Sequence, residues 1–214
     1  MSYKTVKEHA EEQFEEKKSI FIGRIARVEN EEEARSFINA IKSKHKEARH
    51  NVFSYVIGEN MEIQRYSDDG EPQGTGGIPV LEVIKRNEIT DAVVVVTRYF
   101  GGTLLGAAGL IRAYTKAASM AIKSAGVIEK VRAVKMLVHI DYDALGKIQY
   151  HFNAKGWQII NTDYSDVVAI TILSLTEEYD NIKSSLIDIT NNKISIIKKE
   201  EGIYFKEGDT ILDR

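Results

Sequence analysis

Three carboxylates lie within four residues, Asp68, Asp69 and Glu71, in the stretch SDDGEPQGTGG at 67–77. Acids this close can share a Mg²⁺ ion, which takes one or two carboxylates and several waters. They can also divide the roles of general acid and general base. Asp-Asp-Gly-Glu-Pro is favourable turn chemistry as well, and in that case the acids need no ligand. A further use is to orient an arginine inside a binding site, with Arg98 as the candidate.

A second glycine-rich stretch, RYFGGTLLGAAG, covers 98–109. A strand ending near Arg98, a Gly101-Gly102 turn and a helix start would leave unpaired N–H groups and the positive helix end at a sheet edge. That setting suits an anion, and Arg98 and Arg112 would add charge. Neither GxxxxGK(S/T) nor a strict GxGxxG is present, so the stretch is not a P-loop or a dinucleotide fingerprint. Its glycines would equally permit a tight turn and close helix–sheet packing.

Other reactive types are sparse. Ser67, His50 and an aspartate could be drawn as a triad, but no GxSxG surrounds the serine; a histidine bonded to a loop carboxylate is the simpler reading of His50. The five histidines show no HxH or HExxH spacing, which argues against a zinc site. With no cysteine, disulfides, thiolate metal sites and a cysteine nucleophile are excluded. No metal and no cofactor is therefore expected. The basic run KSKHKEAR reads as a solvated helix end, where cations are favoured, or as an RNA patch.

These residues need a scaffold. Asn30 and Glu33 form a capping box opening a helix to about Lys44. SIFIGRIARV and NVFSYVIG read as strands, and IPVLEVIKRN as a short helix with Pro79 in its first turn. DAVVVVTRYF is a near-continuous β-branched run, predicting a central strand buried on both faces. An alanine- and glycine-rich helix follows from about Leu105 to Ser124. Residues 5–17 are expected to form a polar helix, with Thr5 and Glu8 as its capping box. The C-terminal third reads β-α-β-β-α-β: a strand over 132–141, a helix ending at Gly156, two strands joined near Ser165-Asp166, a helix opening at Thr176 and a final strand. That order is ferredoxin-like. The expected domains are 1–130 and 131–214, an α+β protein.

Net charge is −3. Residues 1–130 hold 19 Lys and Arg against 19 Asp and Glu, and residues 131–214 hold 10 against 13. Neither part has the cationic excess from which a nucleic-acid-binding domain draws its affinity. The charged N-terminus lacks a signal-peptide core, and no apolar run approaches the roughly 20 residues of a membrane span. A cytoplasmic protein without membrane contact is expected.

The two glycine-rich stretches together, SDDGEPQGTGGIPVLEVI followed by VVVVTRYFGGTLLGAAGLIRAYTKAA, resemble the signature of the IMPACT family, bacterial YigZ type. The resemblance implies an N-terminal two-layer α/β sandwich similar to domain IV of elongation factor G, and a C-terminal ferredoxin-like domain similar to its domain V. It places the motif on His50, Ser67, Asp68, Asp69, Glu71 and Thr75 in the first stretch. In the second it falls on Arg98, Tyr99, Phe100, Gly101, Gly102, Leu105, Gly106, Gly109, Leu110, Arg112 and Tyr114. Many members carry a lysine where this chain has Leu104, so its loop lacks that cation. The resemblance also implies a non-enzymatic, translation-associated binding protein touching the ribosome, RNA or a translation-related protein through these loops. Tyr66, Tyr99 and Phe100 would be available to stack on bases. The alternative is an enzyme acting on a phosphorylated small molecule held at the helix start.

Overall fold

The computed structural model describes residues 2–213, with only the backbone of Lys198. The chain divides into two compact units, one of residues 3–128 and one from Glu129 onward.

The first unit contains β1 (Ser2–Val6, bar its first residue), β2 (Ala10–Glu16), β3 (Ser19–Arg27), α1 (Glu31–Lys44), β4 (His50–Ile57), β5 (Ile63–Ser67), α2 (Gly77–Arg86), β6 (Ala92–Tyr99) and α3 (Ala107–Ala125). Five strands form an antiparallel sheet in the order β2-β3-β6-β4-β5, so the valine-rich β6 is central as expected. Its side chains alternate between two cores. Val94 and Val96 join Phe21, Ile25 and Val52 beneath α2 and α3, while Val93 and Val95 join Tyr55 and Ile57 beneath α1. Helices thus cover both faces of the sheet, one layer more than the two-layer sandwich expected. The β-branched run is continuous because both faces are buried.

Residues 5–17 are not a helix. Thr5 lies in β1, fully buried, its hydroxyl donating to the Asp91 carbonyl. The Glu-rich stretch is β2, paired along its length with β3 through a turn in which Lys17 and Lys18 both have positive φ. Phe14 stacks on Phe21 with ring centroids 5.4 Å apart. Pairing and this contact override the helix propensity of the glutamates. By contrast, α1 carries the predicted box: Asn30 Oδ1 accepts from Glu33 N, and Glu33 reaches back to Glu29 N and Asn30 Nδ2.

Where α3 crosses β3, a Cβ on Gly23 would stand 2.4 Å from the Ala117 carbonyl oxygen, so glycine allows the alanine face to close onto the strand. Strand β5 has no counterpart among the expected elements. Its sequence IQRYS is polar and half exposed at the sheet edge, so it lacks a readable alternation.

The second unit holds most of β7 (Val127–Ile140), then α4 (Tyr142–Lys155), β8 (Gln158–Tyr164), β9 (Val168–Leu175), α5 (Tyr179–Thr190), β10 (Ile194–Glu207) and a further short strand, β11 (Thr210–Leu212), that the sequence pattern does not predict. The strands run antiparallel in the order β11-β10-β7-β9-β8. Val134, Met136, Val138 and Ile140 supply one side of the core; Ile148 and Phe152 of α4 and Ile182 and Leu186 of α5 supply the other. Gly156 caps α4 in the left-handed conformation. Thr176–Glu178 form a 3-10 turn, so the helix expected there opens three residues later. Among the described residues no helix is long and apolar enough to cross a membrane.

Candidate functional site

The first glycine-rich stretch is a scaffold made by its own acids. Asp68 Oδ1 accepts from the N–H groups of Gly76 and Gly77 at 3.0 and 2.8 Å, and Oδ2 accepts from Gly74 N at 2.9 Å. A carboxylate thereby sits where α2 presents its unpaired N–H groups and positive end. A Cβ on Gly77 would come within 2.9 Å of Ser67 and Tyr66, so the approach needs glycine there. Asp69, at φ 45°, accepts from Asn51 N and from Lys42 Nζ, both at 2.7 Å. Ser67 Oγ accepts from Asp69 N, and Thr75 donates twice to the Pro72 carbonyl. Among the described residues no group of three His, Asp or Glu is placed to hold a metal ion.

Glu71 is different. Its side chain, 3% exposed, lies beside that of Arg98, 6% exposed. Oε1 accepts from Arg98 Nη1 and from the Tyr114 hydroxyl, both at 2.7 Å. Burial, then the Glu71 carboxylate, push the Tyr114 hydroxyl far above the ordinary tyrosine range, so it acts as a fixed donor. The guanidinium lies 5.5 Å from the ring centroids of both Phe21 and Phe100. Ser19 Oγ joins the loops, accepting from Arg98 Nη2 at 3.5 Å and from Gly101 N at 3.2 Å. Gly101 packs so closely on Lys18 that a Cβ would fall 1.9 Å from its carbonyl carbon.

The sheet register puts His50 opposite Arg98. His50 Nδ1 lies 2.8 Å from the Asp69 carbonyl oxygen, which only accepts, so Nδ1 carries a proton. Its Nε2 stands 3.9 Å from Glu71 Oε1, beyond hydrogen-bond range. Ser67 and His50 are each tied to Asp69, not to one another, so the contacts build no serine triad.

A cavity of about 320 Å³ opens here, lined by Arg49, His50, Glu71, Pro72, Arg98, Phe100 and the Leu104–Ala107 turn, among others. Of the residues singled out from sequence for a ligand contact, His50, Glu71, Arg98 and Phe100 line it. Asp68, Asp69, Ser67 and Thr75 shape the loop. Gly101 and Gly102 form the turn, Gly102 at φ 82°. Arg112, exposed on α3, lines a separate cavity of about 240 Å³ with Phe14 and Lys116.

Tyr99 points to the opposite face from Arg98 and meets a second polar network. Its hydroxyl lies 2.8 Å from His45 Nδ1. Arg24, 1% exposed, puts Nη2 2.8 Å from His45 Nε2 and donates to Thr97 and Glu11. Arginine only donates, so His45 Nε2 is the acceptor and Nδ1–H donates to Tyr99. Burial first, then the charges of Arg24 and Lys44, hold the His45 pKa below its ordinary value. Burial raises the Glu11 pKa, but the hydrogen bond and charge of Arg24 with the Lys44 charge outweigh it, and the net shift is downward. Sequence reasoning missed Arg24, His45 and Arg49 as participants, while Tyr114, on the family motif, was given no role. The readable signal for Arg24 was a charge inside an alternating strand.

Comparison with known proteins adds an independent line. Residues 17–122 match the family described as the Impact N-terminal domain, and residues 138–193 match a domain of unknown function, DUF1949. The chain is 42% identical over 206 residues to the IMPACT family member YvyE of Bacillus subtilis (strain 168), covering 96% of this chain and 94% of that protein. It is 30% identical over 187 residues to the IMPACT family member YigZ of Escherichia coli (strain K12), covering 86% and 92% respectively. A crystal structure of a hypothetical protein superposes with a TM-score of 0.60 at 27% identity, covering 91% of this chain and 96% of that one.

Proposed function

The chain belongs to the IMPACT family, and from that premise we propose that it is a non-enzymatic binding protein of the translation machinery, contacting the ribosome, RNA or a translation-related protein through the glycine-rich loops of its N-terminal domain. One observation carries the reading. The acids that metal or proton chemistry would need are engaged within the scaffold, while Leu104, 82% exposed, and Phe100, 40% exposed, project beside them. Large apolar side chains held out by a braced loop suit contact with a partner surface. The alternative enzyme would use these same carboxylates for Mg²⁺ or proton transfer, and their present bonds disfavour it.

The domain reading is consistent with this. We assign 1–130 as a domain like domain IV of elongation factor G, and 131–214 as a ferredoxin-like domain like its domain V. The second assignment is supported by the strand order β10-β7-β9-β8 with α4 and α5 packed into the same core.

A photo-crosslinking amino acid placed at position 104 tests the proposal. Irradiated in lysate and with purified ribosomes, it is expected to join ribosomal RNA, a ribosomal protein or a translation factor. Cross-links confined to proteins outside translation would overturn it.

A further inference from the structure

We propose that the cavity between the β2–β3 turn and the exposed side of α3 docks an acidic segment of a partner protein, an apolar side chain flanked by carboxylates. The inference rests on the reading of the neighbouring loops as a binding surface and names the chemistry of the partner.

The cavity, of about 240 Å³, joins an apolar floor to a cationic rim. Phe14, Leu105 and Ala113 make the floor; Lys17 from the turn and Arg112 and Lys116 from α3 bring three exposed cations. Lys116 Nζ lies 4.1 Å from the centroid of the Phe14 ring, so charge and ring face one opening. Glu16 is the one carboxylate in the lining, which leaves it two charges positive. Among the described residues no carboxylate forms an ion pair with Lys17, Arg112 or Lys116, whereas Lys4, Arg35, Lys42 and Lys85 of the same unit are each paired. Helix α3 supplies no counter-charge, since its 19 residues include three cations and no acid. Arg112 and Lys116 stand four residues apart, a like-charge spacing that costs the helix stability.

The turn adds to that cost. Lys17 at φ 47° and Lys18 at φ 64° fill the two positions of a tight hairpin where asparagine and glycine are favoured. Lysines there lose turn stability and place two more positive charges beside Arg112. The turn is also fixed to the glycine-rich loop, through the close packing of Gly101 on Lys18 and the bond from Gly101 N to Ser19 Oγ. Leu105 of the floor directly follows the exposed Leu104, so the cavity continues the surface proposed above.

Charge and shape together select the occupant. A small inorganic anion would use the cations and leave the apolar floor bare. A nucleic-acid chain needs many cations along its path. Here Glu12, Glu15 and Glu16 follow the edge strand β2 beside the cavity and would repel its phosphates. An acidic protein segment needs only the few cations present. Its apolar side chain fills the cavity as an anchor, and its carboxylates meet Lys17, Arg112 and Lys116 around it. So small a number of ion pairs agrees with weak dependence on salt.

NMR titration of the isotope-labelled chain tests this with a short peptide of one leucine flanked by aspartates and glutamates. The controls are the same peptide with serine for leucine, the same with lysines for the acids, and a short RNA of matching charge. The acidic leucine peptide is expected to move the amide signals of Phe14, Lys17, Arg112 and Lys116 saturably at millimolar concentration, and the lysine peptide to leave them unmoved. The serine peptide and the RNA should bind more weakly. Arg112→Glu and Lys116→Glu, both at exposed positions, should each weaken the leucine peptide about fivefold, the worth of one exposed ion pair, with the other amide signals in place. RNA binding at these residues as tightly as the leucine peptide assigns the cavity to nucleic acid and overturns the proposal. So does a serine or lysine peptide that binds equally well, an affinity that neither variant changes, or no saturable shift at these residues. Such a failure would leave the cross-linking result at position 104 standing, so the two readings fail separately.

Discussion

Glu71 Oε1 receives Arg98 and Tyr114 from two directions in a nearly solvent-free setting. Removing one member leaves a buried charge unpaired, so Arg98→Ala should cost about 3–5 kcal/mol. Urea unfolding of Arg98→Ala, Glu71→Gln and the double variant checks this, and the pair should be strongly non-additive. A loss below about 1 kcal/mol for Arg98→Ala would match the cost of an exposed pair, not a buried one. The Arg24 network predicts a pH dependence. With the His45 pKa lowered by folding, the unfolded chain binds more protons below the ordinary value of 6.5, so stability falls as pH drops through that value towards the folded one. Glu11 acts in the same sense lower down: its contribution is present above the ordinary 4.5 and is lost as pH falls through its depressed folded value. Thermal midpoints should therefore decline on acidification from neutrality, and His45→Gln should flatten the upper part of that decline. Equal slopes in both proteins would show that His45 does not titrate in this way.

At the level of elements, the two glycine-rich stretches begin helices in different ways. Asp68 occupies the start of α2, so Asp68→Ala should destabilise by about 1–2 kcal/mol, as lost helix caps do. Gly106 has backbone angles that essentially only glycine adopts, and Gly106→Ala should cost about 1–3 kcal/mol. Denaturant midpoints of both variants test these values. Several elements were legible because local signals and tertiary demands agree: the Asn30–Glu33 box of α1, the valines of β6 and the αL glycine closing α4. Strand β2 was not, because its Glu-rich composition favours a helix and only the pairing with β3 decides the matter. The site was legible to a similar extent. The Glu71–Arg98 pairing agrees with the expectation that a loop acid orients Arg98. The roles of Asp68 and Asp69 as backbone clamps depend on N–H groups that residue type does not reveal. Arg112 separates from Arg98 because it lies on the exposed side of α3, lining another cavity.

For the whole molecule, charge and loop exposure together set the expected behaviour. With 19 basic and 19 acidic residues over 1–130, binding to a translation partner should depend weakly on salt, unlike a protein that neutralises many phosphates. On the proposed function, specificity would rest on the braced loops, above all on the exposed Leu104 and the cavity beside it. The most direct measurement is co-sedimentation of the purified chain with ribosomes and their separated subunits across a salt series, run beside Leu104→Asp and Arg49→Gln. Both substitutions are at exposed positions and should leave the fold intact. The account predicts that the chain pellets with ribosomes, that salt weakens this only shallowly, and that both variants stay in the supernatant. Pelleting of the variants at the level of the unaltered chain, or no pelleting of that chain at any salt, would contradict it.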